Sequence, residues 1–218
     1  MYFTPSLGMA LFDFVPVILF LIGSFYFVSF IKRNGNIFVL ILFAAGIAIA
    51  NFGGLCKAVW KLLLATGGKN YAWMDDYQFL FLGIGLSLVF VSTFIIARKK
   101  RKVRRNAAAA AIVFTVKGTN LFYYLLTVVV VSTIGYLSCL IVLAKKLNAK
   151  ISVVLYITYG VISIMMGALS GSGEMEIVNW IAQTINTIGM LSLLIAHFHL
   201  NKEDKLAQEV TVRRKAAQ

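Results

Sequence analysis

The sequence predicts an all-α bundle of helices crossing a lipid bilayer, and three observations predict it. Of 218 residues, 60% are hydrophobic and 13% charged, where soluble domains run at about 45–50% and about 25%. Apolar runs of membrane-spanning length recur from Phe14 to Leu200. The basic residues behind the net charge of +13 flank those runs. That is the pattern of membrane topology and not of nucleic-acid binding. The expected setting is the bilayer of a cell membrane, with several crossings and no nucleic-acid partner.

The elements follow from a hydrocarbon core of about 30 Å, which takes roughly 17–25 apolar residues per helix. The N-terminal stretch lacks a basic region and a small-residue cleavage site, so no removable leader is expected. Phe14–Ile31 is the first span, preceded by Asp13 and closed by the polar turn Lys32-Arg33-Asn34-Gly35-Asn36. Ile37–Cys56 is the second, with its apolar character running on to Leu64 past Lys57 and Lys61. Thr66–Asn70 reads as a loop, and Tyr71, Trp73 and Tyr77 around Asp75-Asp76 read as an aromatic belt at the water boundary. Phe79–Ala97 is the third span. The cluster Arg98–Arg105, with seven basic residues in eight positions, then marks the cytoplasmic side and places the N-terminus outside. Leu121–Ala144, Ile151–Leu169 and Ile177–Leu200 complete the set, with turns at Lys145–Lys150 and Ser170–Gly173.

Residues 32–55 align without gaps to 146–169. Lys32, Asn34, Ile37, Val39, Gly46, Gly53 and Leu55 match Lys146, Asn148, Ile151, Val153, Gly160, Gly167 and Leu169. The third and last spans share little beyond Gly85 and Gly189. The expected organisation is two three-helix repeats, 1–97 and 119–200, joined by a basic linker at 98–118 and followed by a soluble charged tail at 201–218. Span number is contested between length and charge. Residues 107–116 are apolar but only about 15 Å long as a helix, too short for an ordinary crossing. Length therefore favours six spans, inverted repeats and an external C-terminus. Charge favours seven, because a further crossing would bring Lys145, Lys146, Lys150 and the basic tail to the cytoplasmic side. Six is the expectation, seven the alternative.

The most informative stretch is the last span. At about 100° per residue, Glu176, Asn179, Gln183, Asn186, Thr187, Met190 and His197 fall within an arc of roughly 100°. Lipid rejects such a face, so it should look onto protein, water or a ligand. Amides donate and accept hydrogen bonds without a buried charge, which suits a neutral or zwitterionic solute; they also serve as packing glue between helices. On the second span, Asn51, Gly54, Lys57 and Lys61 share an arc of roughly 120°. The two lysines can snorkel to headgroups, form an anion-attracting mouth with Trp60, or pair with Asp75 and Asp76. Glu174 and Glu176 suit the positive end of the last helix.

Other chemistry finds little support. Cys56 and Cys139 lie inside apolar runs, as packing residues do. His197 and His199 are two apart and point to different helix faces, a poor metal pair. No metal site and no cofactor are expected. No motif places a Ser, His and Asp together, so no catalytic residue is assigned and enzymatic activity is not the expectation. The reading is a membrane protein that binds or translocates a small polar or zwitterionic solute between the second and last spans. The assigned site residues are Asn51, Lys57, Lys61, Asn179, Gln183, Asn186 and Thr187. The rival is a structural or regulatory subunit whose polar face docks a partner helix or a second copy.

Overall fold

Each apolar run among the described residues is a helix, because a backbone in hydrocarbon has to satisfy its polar groups within its own segment. A computed structural model describes residues 5–99, 121–169 and 176–216, and the side chains at 121–123 and 167–169 fall outside that description. The elements are α1 (Leu7–Phe12), α2 (Phe14–Asn34), α3 (Ile37–Ala65), α4 (Trp73–Asp76), α5 (Gln78–Lys99), α6 (Leu121–Lys146), α7 (Lys150–Leu169) and α8 (Glu176–Ala216). No strand occurs among the described residues. Five stretches are long and apolar enough to cross a membrane: Leu7–Asn34, Ile37–Ala65, Trp73–Lys99, Tyr124–Lys146 and Glu176–Ala216. Lys150–Met166 is a shorter apolar stretch. The stretch 107–116, the surroundings of Gly167, and Glu174 lie outside the description.

Turn chemistry sets the short connections. The side chain of Asn36 accepts a hydrogen bond from the Val39 amide at 3.0 Å, capping α3. Between α6 and α7, Asn148 takes a left-handed conformation (φ 55°), which Asn tolerates better than most residues.

The helices close a ring in the order α2, α3, α5, α6, α7, α8 and back to α2. At the α3–α5 crossing the backbones nearly touch. A Cβ on Gly85 would lie 2.5 Å from the Ala50 nitrogen and 2.6 Å from the Gly46 oxygen. Only paired glycines admit that approach, the small-residue packing of membrane helices.

Helix directions follow from which residues meet. Gly83 lies beside Val128, Ser87 bonds Ser132 at 2.9 Å, and Phe90 lies against Gly135, so residue numbers rise together and α5 and α6 run parallel. Gly23 lies against Leu194, Tyr26 against Phe198 and Arg33 against Asp204, so α2 and α8 are parallel as well. Neighbours within each half are antiparallel: Phe27 meets Phe43 while Asp13 meets Lys61. The two halves, 14–99 and 121–216, therefore run in the same sense. The inverted arrangement that the length of 107–116 favoured would set the two halves in opposite senses. The C-terminal ends of α2, α5, α6 and α8 lie at one end of the ring, which we call the basic end. Lys32, Arg33, Arg98, Lys99, Lys145, Lys146 and Lys150 all gather there.

The charged tail is a continuation of α8. At 41 residues the helix is ~60 Å long, about twice a bilayer core. Asp204, almost fully buried, anchors it to the end of α2. One carboxylate oxygen accepts from Arg33 Nε (3.1 Å), Asn34 Nδ2 (2.9 Å) and Gln208 Nε2 (3.0 Å), and Arg33 also reaches Asn201 Oδ1. Charge-assisted bonds of this kind are among the stronger ones.

Candidate functional site

Asn179 and His197 are eighteen residues apart, about five helical turns, and so share one face of α8. Asn186 and Met190 lie between them on the same face. At the His197 end this face is sealed. His197 is fully buried, as are Leu193 and Leu200 at about a turn to either side. The His197 ring stacks on Phe27 of α2 with centroids 4.8 Å apart and lies 5.7 Å from the Tyr156 ring of α7. Phe27 also packs against Phe43 of α3 (5.3 Å) and Tyr136 of α6 (6.2 Å). Five of the six ring helices thus converge on one aromatic plug that fills the interior.

Hydrogen bonds fix the plug's orientation. The Gly23 carbonyl oxygen, 3.1 Å from His197 Nδ1, can only accept, so Nδ1 carries the proton. Nε2 of the neutral ring is then an acceptor, and the Tyr136 hydroxyl donates to it at 3.0 Å. The node joins α2, α6 and α8 across the ring.

Toward the N-terminal end of α8 the same face is less enclosed: Asn179, Gln183, Asn186 and Thr187 are all half-buried. The Thr187 hydroxyl donates back to the Gln183 carbonyl at 2.8 Å, so it is engaged within its own helix. The result is a row of half-buried polar side chains along one α8 face that ends at the aromatic plug.

The assigned residues of α3 are placed differently. Both α3 and α8 pack chiefly on α2, so the two sets lie to either side of it. Asn51 is buried. Its Nδ2 donates to the Ile47 carbonyl at 3.0 Å, while its Oδ1 has no partner among the described residues. Lys61 is buried and paired with Asp13 at 2.7 Å. Lys57, half-exposed, lies 4.0 Å from the Asp75 carboxylate. Trp60 donates to Asn70 Oδ1 at 2.9 Å. Each lysine therefore faces a carboxylate, which leaves little net positive charge for an anion at this end.

One further cluster brings Ser, His and carboxylate side chains together. Ser152 Oγ is 3.3 Å from His199 Nδ1, and His199 Nε2 is 3.7 Å from a Glu203 oxygen. Ser152 is fully buried and donates its hydroxyl to the Ala196 carbonyl at 3.0 Å. A nucleophile has to be presented to substrate with its proton directed at the base. This serine fails on both counts and works as a fastener between α7 and α8. Among the described residues no group of three His, Cys, Asp or Glu side chains is spaced to hold a metal ion.

Sequence reading missed the His197–Tyr136–Gly23 node because its members stand 61 and 174 positions apart. The one available signal was His197 at the foot of the amide arc. Comparison with known proteins finds no match for this chain, whether to a family model, a curated protein or a solved structure.

Proposed function

We propose that this chain is a multi-pass membrane protein that binds a small neutral or zwitterionic solute at the amide-bearing face of α8. The observation that carries the reading is the change of character along one helix face, from half-buried amides to a fully buried aromatic cluster. Amides donate and accept hydrogen bonds without a charge, which suits the polar groups of such a solute. The matched ion pairs at Lys57 and Lys61 favour a solute without net charge. The aromatic plug favours a binder or an alternating carrier over an open pore, since any passage has to part Phe27, Tyr136 and His197. The rival reading, a polar face that docks a foreign helix, loses ground because the ridge lies on the face that buries Leu193 and His197 inside the chain's own ring.

The proposal extends to topology. The parallel course of α5 and α6 puts Lys99 and Leu121 at opposite ends of the ring. Six helices crossing in these directions need a seventh crossing between them. The two halves then form parallel repeats related about an axis along the membrane normal, a plan found among transporters. The shared neighbour order, α2–α3–α5 and α6–α7–α8, supports this. The clustering of basic residues at one end assigns that end, with the C-terminus, to the cytoplasm, and the end carrying Pro5 to the outside.

Thermal unfolding of the purified protein against free amino acids, betaines and polyols tests the solute reading. Wild type is expected to shift upward with a member of that panel, and Gln183→Leu/Asn186→Leu is expected to fold and lose the shift. An undiminished shift in the double variant would sink the site. For topology, Pro5→Cys and Ala216→Cys are each placed in a chain whose Cys56 and Cys139 have been replaced. An impermeant thiol reagent added to intact cells should label the first and spare the second; labelling of Ala216→Cys rules out seven crossings.

A further inference from the structure

The two sides of the basic end carry different charge balances. On the α2–α8 side Arg33 pairs with the buried Asp204, and Glu203 stands next to it in the chain. On the other side, α5, α6 and α7 supply no acid, since the sequence holds no Asp or Glu between Asp76 and Glu174. Arg98, Lys99, Lys145 and Lys150 are all exposed there, and none of them forms an ion pair among the described residues.

Packing brings these four cations to one level. Along α5 and α6, Gly83 with Val128, Ser87 with Ser132 and Phe90 with Gly135 are each 45 positions apart. Carried to the helix ends, that register sets Lys99 opposite Ala144, next to Lys145. The turn into α7 is short, with the Ala149 amide donating to the Ala144 carbonyl at 2.9 Å, so Lys150 starts α7 at the same height. Helix-end dipoles relieve only part of the repulsion. The carbonyl ends of α5 and α6 favour cations, whereas the amide end of α7, where Lys150 sits, disfavours one. Cations on two of these helices also head apolar stripes. Val91, Ile95 and Lys99 follow one another at spacings of four on α5, as Lys150, Val154 and Ile157 do at four and three on α7, and all six are exposed.

We propose that Arg98, Lys99, Lys145 and Lys150 form a binding surface for the headgroup phosphate of anionic phospholipids. The acyl chains lie along the stripes beneath Lys99 and Lys150. Charge and apolar surface run into one another on the same helix faces, which fits an amphiphile better than a free anion. The Arg98 guanidinium offers a phosphate paired donors, and the three ammonium groups add point charge around it. A zwitterionic headgroup carries its own cation into the cluster, so the surface selects lipids by net charge.

Lipid selectivity of the purified full chain in phosphatidylcholine nanodiscs tests this. Trace spin-labelled phosphatidylglycerol or phosphatidylcholine is added, and the motionally restricted fraction of each label reports its association with the protein. Wild type is expected to prefer phosphatidylglycerol by about threefold or more, and salt to weaken that preference. Arg98→Gln/Lys99→Gln/Lys145→Gln/Lys150→Gln is expected to lose most of it, while Arg98→Lys/Lys99→Arg/Lys145→Arg/Lys150→Arg retains it. Lys32→Gln/Lys202→Gln/Lys205→Gln/Lys215→Gln removes the same charge from the α2–α8 side and is expected to leave the preference in place. The surface is overturned if the first glutamine variant keeps its preference, or if the α2–α8 variant loses as much. Inorganic phosphate at constant ionic strength is expected to change nothing; if it abolishes the preference, the cluster is a site for soluble phosphate and the lipid reading falls. Should the first variant fail to fold, Lys99→Gln/Lys150→Gln, at two exposed positions, decides by the same criterion.

Discussion

Asn179 and His197 occupy one face of one helix about five turns apart, yet they live in opposite environments. Around His197, aromatic side chains from α2, α3, α6 and α7 meet, and both imidazole nitrogens are bonded. Asn179 and Gln183 are only half-buried. The difference teaches how a small bundle divides labour along its length. Tight packing and fixed hydrogen bonds at the basic end hold the helices in register. At the other end, α1 and the Asp13–Lys61 pair fasten α2 to α3, while the amides of α8 stand outside that network.

If this division is right, substitutions should cost stability at the basic end and function at the other. The largest effect is expected from Asp204→Ala, which leaves Arg33 with its charge and its principal acceptor gone. Losing one partner of a buried pair costs about 3–5 kcal/mol. The Arg33 side chain is less enclosed than Asp204, so the lower part of that range is expected. Chemical denaturation in detergent measures it, and a loss below ~1 kcal/mol would mean that the clasp holds nothing.

Tyr136→Phe comes next. It keeps the ring and removes the hydroxyl, stranding the buried His197 Nε2 acceptor at about 1–3 kcal/mol. The same denaturation series reports it. A variant as stable as wild type would show that the node's hydrogen bond is incidental to the aromatic packing.

The smallest effect is expected among the amides of α8. Polar side-chain bonds between membrane helices average about 0.6 kcal/mol, so Asn186→Leu should move stability by no more than that. If it destabilises as much as Tyr136→Phe, the amides are packing glue and the contrast between the two ends collapses.

Much was legible in the sequence because the bilayer is a demanding solvent. The composition, the lengths of the apolar runs and the turn residues at 32–36 and 145–150 determined an all-helical bundle and the placement of its helices, with no need of tertiary information. The amide arc from Asn179 to His197 led to the expectation of an inward polar face on α8, because lipid offers an unpaired amide no partner, and the structure buries His197 at one end of that arc. Tertiary structure alone decided the rest. Whether two helices run parallel depends on which residues meet, and contacts such as Gly83 with Val128 or Arg33 with Asp204 leave no periodic trace in the chain. The same holds for Lys61. Its sequence neighbourhood allows snorkelling, an anion site or an ion pair alike, and only the fold brings Asp13, 48 positions away, to 2.7 Å from its ammonium group. Local patterns report how each segment meets its solvent; pairings between distant segments are settled by shape, and shape exists only once the ring has closed.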